Sequence, residues 1–299
     1  MKLGLIAPQG WTGEYDGWEP GVAWRRTVAV AQRAEALGFE SVWLFDHFHT
    51  VPKPTDEITF ESFTALSALA ALTERVRVGQ IVICNGFRNP ALTAKMAGTL
   101  NTISGGRFDL GIGAGWKRDE WLAYGYGFPQ TRVRLDMLRD GLEVITRMLA
   151  PGREHATFEG EHASVRDAIN LPKGVHEARI PIMVGGNGPN VTWRLAARFA
   201  DELNIDGLSP ADLREALPVI RSRCEEIERD PDSLSVSLHA WWGDPAWSTG
   251  GDRRSSYLAE LAELGVSRVI GLLQASADSD EPLVALAEDA RAAGITLDS

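Results

Sequence analysis

The sequence predicts an α/β chain closed into a (β/α)8 TIM barrel, with an insertion around residues 150–178. Three observations carry that expectation. Short apolar runs alternate with stretches of helical periodicity, the pattern of βαβ units and so of a parallel sheet. The alternation occurs eight times, the count of a closed barrel. The chain has 299 residues and 44% hydrophobic content, which suits one large barrel or two smaller domains. No linker or low-complexity tract interrupts the alternation, so residues 1–299 read as a single domain.

The elements follow in order. Residues 2–8 (KLGLIAP) read as the first strand. Val22, Val28, Ala31, Ala34 and Leu37 lie at near-helical spacing, and Gly38 ends that helix. Residues 41–46 (SVWLFD) form the second strand, 63–73 a helix, and 76–84 (VRVGQIVIC) the third strand. Pro90 starts a helix that runs to about Ile103, because proline's missing N–H is not needed in a first turn. Residues 107–113 (RFDLGIG) form the fourth strand, and 131–149 are strongly periodic. Residues 150–178 hold Gly and Pro with little periodicity and predict an insertion loop carrying a small hairpin. Residues 180–186 (IPIMVGG) are the fifth strand, followed by a helix over 189–200. The sixth strand is 201–206, and its helix is kinked or broken at Pro218, which removes a backbone donor. Strand seven covers 234–242, a helix 253–264, strand eight 267–273, and the last helix 281–293.

Net charge is −11 and the pI about 5.1, with no Lys/Arg-rich run. That argues against a nucleic-acid or membrane-surface partner. Two cysteines cannot supply a disulfide framework and point to a reducing compartment. The opening MKLGLIAPQG lacks the apolar core of a signal peptide, and no run is long enough to span a bilayer. The expectation is a cytoplasmic protein acting on a small molecule.

Asp46-His47-Phe48-His49 falls where a barrel places chemistry, at the C-terminal end of the second strand. Three readings compete. It is a hydrogen-bonded polar turn, a metal site through His47-x-His49, or a catalytic imidazole beside a cofactor, since an imidazole can both donate and accept a proton. A metal site needs further ligands from later strands. His155, His162 and His176 fall in the insertion and only His239 in a strand, so no metal is expected. GIGAGW (111–116) is not the G-x-G-x-x-G of a dinucleotide fold, but glycines at a strand end permit close approach of a flat ring or phosphate. VGGNGP (184–189) runs into a helix whose free N–H groups suit a phosphate. SGGR (104–107) reads as a turn, Cys84 as a lining residue and Cys224 as core. Trp241 and Trp242 either line an apolar pocket or pack in the core.

Taken together, three stretches resemble the bacterial luciferase-like superfamily of flavin and deazaflavin oxidoreductases. They are ALGFESVWLFDHF (36–48), RVRVGQIVICNGFRNPALTAKMAGTLNTISGGRFDLGIGAGWKRDEW (75–121) and IPIMVGGNGPNVTWRLAARFADELN (180–204). Within that superfamily the chain is most similar to members that use coenzyme F-420 (F420), an 8-hydroxy-5-deazaflavin.

The resemblance implies a barrel with the cofactor at the C-terminal strand ends, and a homodimer. It implies that Asp46 and His47 sit beside the deazaflavin, with His47 as the acid/base. It implies a bulge with a non-proline cis bond at Gln80–Ile81, these residues lying against the ring, and Cys84 as a polar contact. Gly113, Ala114, Gly115 and Trp116 would approach the cofactor, Gly185, Gly186 and Asn187 would hold its phosphate side, and Asn204 would lie near the ring. The reaction implied is hydride transfer between F420 and a small organic substrate. An FMN-dependent monooxygenase is the alternative, and a metal-dependent hydrolase a remote one. The sugar-phosphate dehydrogenases of the family carry Glu after the strand-four glycines and Trp shortly after the strand-two His. Here those places hold Trp116 and no Trp, which argues against glucose 6-phosphate. The loops at 9–20, 49–60 and 150–178 are expected to shape the pocket.

Overall fold

Strands that are apolar along their whole length need cover on both faces, and a parallel barrel wrapped in helices provides it. A computed structural model describes residues 1–152, 154–175 and 179–297. His176 lies outside the described residues. The first half runs β1 (Lys2–Ile6), α1 (Pro20–Leu37), β2 (Ser41–Leu44), α2 (Ser62–Leu72), β3 (Arg77–Gln80), β4 (Ile83–Cys84), α3 (Pro90–Ile103), β5 (Phe108–Gly113), α4 (Arg118–Ala123) and α5 (Thr131–Leu149). There follow β6 (Ala156–Glu159), β7 (Ser164–Ala168), β8 (Ile182–Gly185), α6 (Thr192–Phe199), β9 (Glu202–Asp206) and α7 (Pro210–Glu225). The chain continues through β10 (Ser235–Ala240), α8 (Pro245–Ser248), α9 (Asp252–Glu263), β11 (Arg268–Leu272) and α10 (Glu281–Ala292).

The parallel strands follow the order β3-β2-β1-β11-β10-β9-β8-β5, and pairing of β3 with β5 closes the ring. With β4 continuing β3, this is the closed eight-strand barrel that the alternation predicts. Local chemistry explains the helix ends. Gly38 takes φ 88° and caps α1 through its N–H, and Asn89 caps α3 ahead of Pro90. Gly105 and Gly106, at φ 64° and 92°, make the turn into β5.

The structure departs from the sequence reading in three places. The cis bond is Ile81–Val82, one residue beyond the expected Gln80–Ile81. The reason lies in the ladder. The Ile81 N–H still donates to the Leu44 carbonyl at 2.9 Å, so pairing with β2 runs through residue 81. Gly79 lies opposite Asp109 while Ile83 lies opposite Ile112, so the extra residue of the bulge falls after Ile81. Secondly, of the kink or break expected at Pro218, the break does not occur: α7 runs continuously through it. Leu213, Ala216, Ile220 and Cys224 are buried along one face, and that packing holds the helix despite the missing donor. Thirdly, residues 150–178 do carry an antiparallel hairpin, β6–β7, but it lies on α5. The Arg147 guanidinium covers Phe158 at 4.8 Å, and Asp140 accepts the His162 N–H at 2.9 Å.

The barrel interior is filled by Ile6, Trp43, Phe45, Ile81, Met183 and Ile270. Trp43 fits because Gly79 faces it; a β-carbon there would collide with the indole. At the N-terminal end Arg268 sits among Asp109 (3.2 Å), Glu40 (3.3 Å) and Glu202 (3.5 Å), with its guanidinium 5.2 Å from the Trp43 ring. That end is closed. The other end is open and holds the cavity.

Candidate active site

β2 ends at Leu44, and the next residues turn into the mouth of the barrel. Asp46 fixes that turn. Its two oxygens accept from the Ser62 hydroxyl (2.8 Å), the Cys84 N–H (2.9 Å) and both ends of the Arg88 guanidinium (2.8 Å each). Arg88 also bonds Glu61, the cap of α2, at 2.8 Å. Burial works against the Arg88 charge, but Asp46 and Glu61 outweigh it and push its pKa up. Asp46 lines the cavity, yet its acceptors are engaged, and its role here is to position the turn that bears His47.

His47 is held on three sides. Its ring stacks on Trp11 with centroids 4.1 Å apart and planes 3° from parallel, and Trp116 meets it edge-on at 5.9 Å. Its Nδ1 lies 2.7 Å from Glu120 Oε2, and Glu120 Oε1 accepts the Phe48 N–H at 2.6 Å. Glu120 is fully buried in the first turn of α4. A carboxylate only accepts, so Nδ1 carries the proton and Nε2 remains the free nitrogen. Among the described residues Nε2 has no hydrogen-bond partner.

The cavity measures about 500 Å³, within the usual range for small-molecule sites. Strand ends around the ring contribute to it. Trp11 follows β1, Asp46 and His47 follow β2, and Ile81, Val82 and Cys84 come from β3–β4. Gly113, Ala114, Gly115 and Trp116 come from the end of β5, Gly185, Gly186 and Asn187 from β8, and Asn204 from β9. Of the residues that the sequence nominates, Gln80 alone falls outside. It is fully buried and alternates with Gly79, so its side chain points away from the barrel interior.

Several nominated residues have structural duties as well. β-carbons on Gly113 and Gly185 would lie 2.9 Å and 3.0 Å from Val82, so these glycines make room for the bulge. Gly115 takes φ 78°, and a side chain there would strike the Cys84 sulfur. Burial pushes the Cys84 thiol up to about 12, so it lines the cavity as a neutral group. The Asn187 amide both donates to the Asp206 carbonyl (2.7 Å) and accepts its N–H (2.8 Å), pinning the β8–α6 loop to β9. Trp241 and Trp242 line the cavity, stacked with centroids 4.9 Å apart. None of the described residues 150–178 lines it, contrary to expectation, because the hairpin sits on α5.

Sequence reasoning missed Glu120, Lys117 and Asp206. The signal for Glu120 was available: a carboxylate in the first turn of the helix that follows the glycine-rich strand end. His49 does not line the cavity; its Nδ1 faces the Thr50 carbonyl at 3.2 Å and its Nε2 lies 3.8 Å from Asp119. Among the described residues no group of three or more His, Cys, Asp or Glu side chains is arranged to hold a metal ion.

A closed (β/α)8 barrel with a carboxylate-held imidazole in an aromatic cavity at its C-terminal face defines a barrel enzyme. Residues 1–241 match the family model of luciferase-like monooxygenases, and the chain belongs to that family. It is 34% identical over 239 residues to the F420-dependent glucose-6-phosphate dehydrogenase of Kineococcus radiotolerans, a match that covers 78% of this chain and 69% of that protein. Against three such dehydrogenases the match spans 60% to 69% of their length. Among solved structures, an F420-dependent secondary alcohol dehydrogenase with an F420–acetone adduct superposes with a TM-score of 0.80 at 20% identity, over 98% of both chains. The oxygenating constituent of 3,6-diketocamphane monooxygenase of Pseudomonas putida, in complex with FMN, gives a TM-score of 0.73 at 18% identity over 100% of this chain and 99% of that one. At those identities the likeness is one of fold.

Proposed function

We propose that the protein is an F420-dependent oxidoreductase that moves a hydride between the deazaflavin and a small organic substrate. The observation that carries this reading is the His47–Glu120 pair at the mouth of the barrel. The family membership and the F420-dependent relatives support it. The residues present fit a flat tricyclic group. Ile81 and Val82 form an apolar shelf, the strand ends beside them are glycine, and the cavity has room for a ring and a small partner.

Ile81, Val82 and the 113–116 segment would hold the ring, Gly185, Gly186 and Asn187 the phosphate side, and Asn204 the ring's neighbourhood. When bound, F420 supplies a two-electron hydride carrier at its C5. His47 takes the substrate hydroxyl proton at Nε2 as the hydride leaves, and returns it in the reverse direction. Glu120 stabilises the imidazolium that results, and Trp11 holds the ring in plane. Asp46 and Arg88 keep the backbone of the turn in place. Trp116, Trp241 and Trp242 exclude water from the reacting atoms.

The reading further comprises one barrel domain over residues 1–299, a homodimer and a cytoplasmic location. No described helix is long and apolar enough to cross a membrane, and both cysteines are free and buried. The test is an absorbance titration of purified protein with F420 and with FMN. F420 binds in the micromolar range or tighter, and FMN more weakly. Tight FMN binding with oxygen-consuming turnover would make the protein a flavin monooxygenase on the same barrel.

A further inference from the structure

The cavity holds a second imidazole with the same architecture as the first. His239, at the end of β10, is 7% exposed and lines the cavity. Its Nδ1 lies 2.9 Å from Asp206 Oδ1, and that oxygen also accepts the Trp241 indole N–H at 2.7 Å. Desolvation raises the Asp206 pKa, but the bonds from His239 and Trp241 outweigh it and hold the carboxyl below its ordinary value. An ionised carboxylate on Nδ1 leaves Nε2 as an acceptor. That Nε2 is buried and has no hydrogen-bond partner among the described residues. Buried polar atoms are almost always paired, so an unpartnered nitrogen on a residue that lines the cavity marks a place for a ligand's donor. The His47–Glu120 pair does not use it. Both imidazoles pack around Phe45, with ring centroids 6.5 Å and 5.6 Å from the Phe45 ring.

The charges around the cavity restrict what that ligand can be. Asp46 is paired with Arg88, Lys117 with Asp119 at 2.7 Å, Glu120 with His47 and Asp206 with His239. Lys117 is the one cationic side chain among the described lining residues, and Asp119 neutralises it. Among the described lining residues no unpaired cation is left for a charged group of the substrate. Indoles of Trp11, Trp116, Trp241 and Trp242 form part of the apolar wall. Flat aromatic surfaces of that kind stack on rings.

We propose that His239 is a substrate-binding residue that accepts a hydroxyl hydrogen remote from the reacting carbon, and that the substrate is an uncharged cyclic molecule with two hydroxyl groups. One hydroxyl loses its proton to His47 as its carbon loses the hydride to the cofactor; the other stays bonded to His239 Nε2 and does not react. Asp206 fixes the tautomer that makes Nε2 an acceptor. The proposal rests on the hydride-transfer reading of the same cavity.

The test uses cyclohexanol, its 1,2-, 1,3- and 1,4-diols, and glucose 6-phosphate as probes. Binding to the purified protein is measured by calorimetry without and with F420. The imidazole nitrogens are followed in ¹⁵N–¹H spectra. At least one diol binds about tenfold more tightly than cyclohexanol, the ratio expected for one neutral hydrogen bond. The same diol shifts the His239 Nε2 resonance, and cyclohexanol does not. His239→Phe keeps the packing and abolishes the diol's advantage. Asp206→Asn does the same by releasing the tautomer. F420 affinity is unchanged in both variants. No diol preference in the native protein overturns the proposal, as does a preference that survives both substitutions, or tighter binding of glucose 6-phosphate. The native-protein spectra decide the matter even where a variant fails to fold. Failure of F420 to bind sinks the hydride-transfer reading instead, while the probe titrations without cofactor still report on His239.

Discussion

Replacing Glu120 with Gln preserves the shape of the side chain and tests the tautomer that the proposed chemistry needs. Glu120 serves two donors, the Phe48 N–H at 2.6 Å and His47 Nδ1 at 2.7 Å. Glutamine offers one acceptor and one donor group. With its oxygen on Phe48, its NH₂ faces Nδ1, which must then give up its hydrogen. The proton moves to Nε2, and the cavity nitrogen becomes a donor where a base is required. A positioned acid/base contributes about 10²–10⁴-fold, so kcat is expected to fall by that factor, about 3–5 kcal/mol of barrier. Stability changes far less, since a hydrogen bond to a charged group contributes only about 1.5–3 kcal/mol and glutamine keeps part of it. Turnover is read from F420 absorbance, and the tautomer from ¹⁵N–¹H spectra of His47. The native spectrum shows hydrogen on Nδ1 and the variant shows it on Nε2. Unchanged turnover, or hydrogen on Nε2 already in the native protein, would refute the reasoning.

Three further outcomes are expected. His47→Ala lowers kcat about 10²–10⁴-fold with little change in F420 affinity, whereas His49→Ala leaves both nearly intact; equal damage in steady-state kinetics and titration would count against a catalytic imidazole at 47. Gly115→Ala places a β-carbon against Cys84 Sγ at φ 78°, and the left-handed conformation alone costs about 1–2 kcal/mol. Differential scanning calorimetry shows the lower Tm, and an unchanged Tm would mean that the loop relaxes freely. Cys84, whose thiol burial pushes up to about 12, stays protonated well above neutral pH, and Cys224 is buried as well. Neither reacts with a disulfide reagent at pH 8 until denaturant is added, and rapid labelling of native protein would contradict this.

Much of the frame is readable from local chemistry. Pro90 after Asn89 starts α3, Gly38 ends α1, and the periodic stretch 131–149 coincides with α5. These signals need no knowledge of distant partners. What failed were features set by pairing across the sheet. The bulge belongs to the register of β3–β4 between β2 and β5, so local sequence does not fix its position, and Gln80 was nominated for the same reason. The nominated glycines line the cavity, but their spacing also serves Val82 and Cys84. Glu120 reaches His47 from 73 residues away on a helix of only 6, too short for periodicity to single it out. His239 and Asp206 sit on neighbouring strands, and only the register of β9 against β10 brings them opposite each other.

The closed lower end of the barrel bears on how reactants come and go. Trp43 fills the interior, and Arg268 with its carboxylates seals the floor beneath it. At the open end, Trp116 and Trp241 line the cavity and are 63% and 41% exposed. Under the proposed function a cofactor and a substrate would share this mouth, and the first to enter would be enclosed by the second. On that proposal, the Arg268 cluster at the far end of the barrel would couple the order of entry to the order of release.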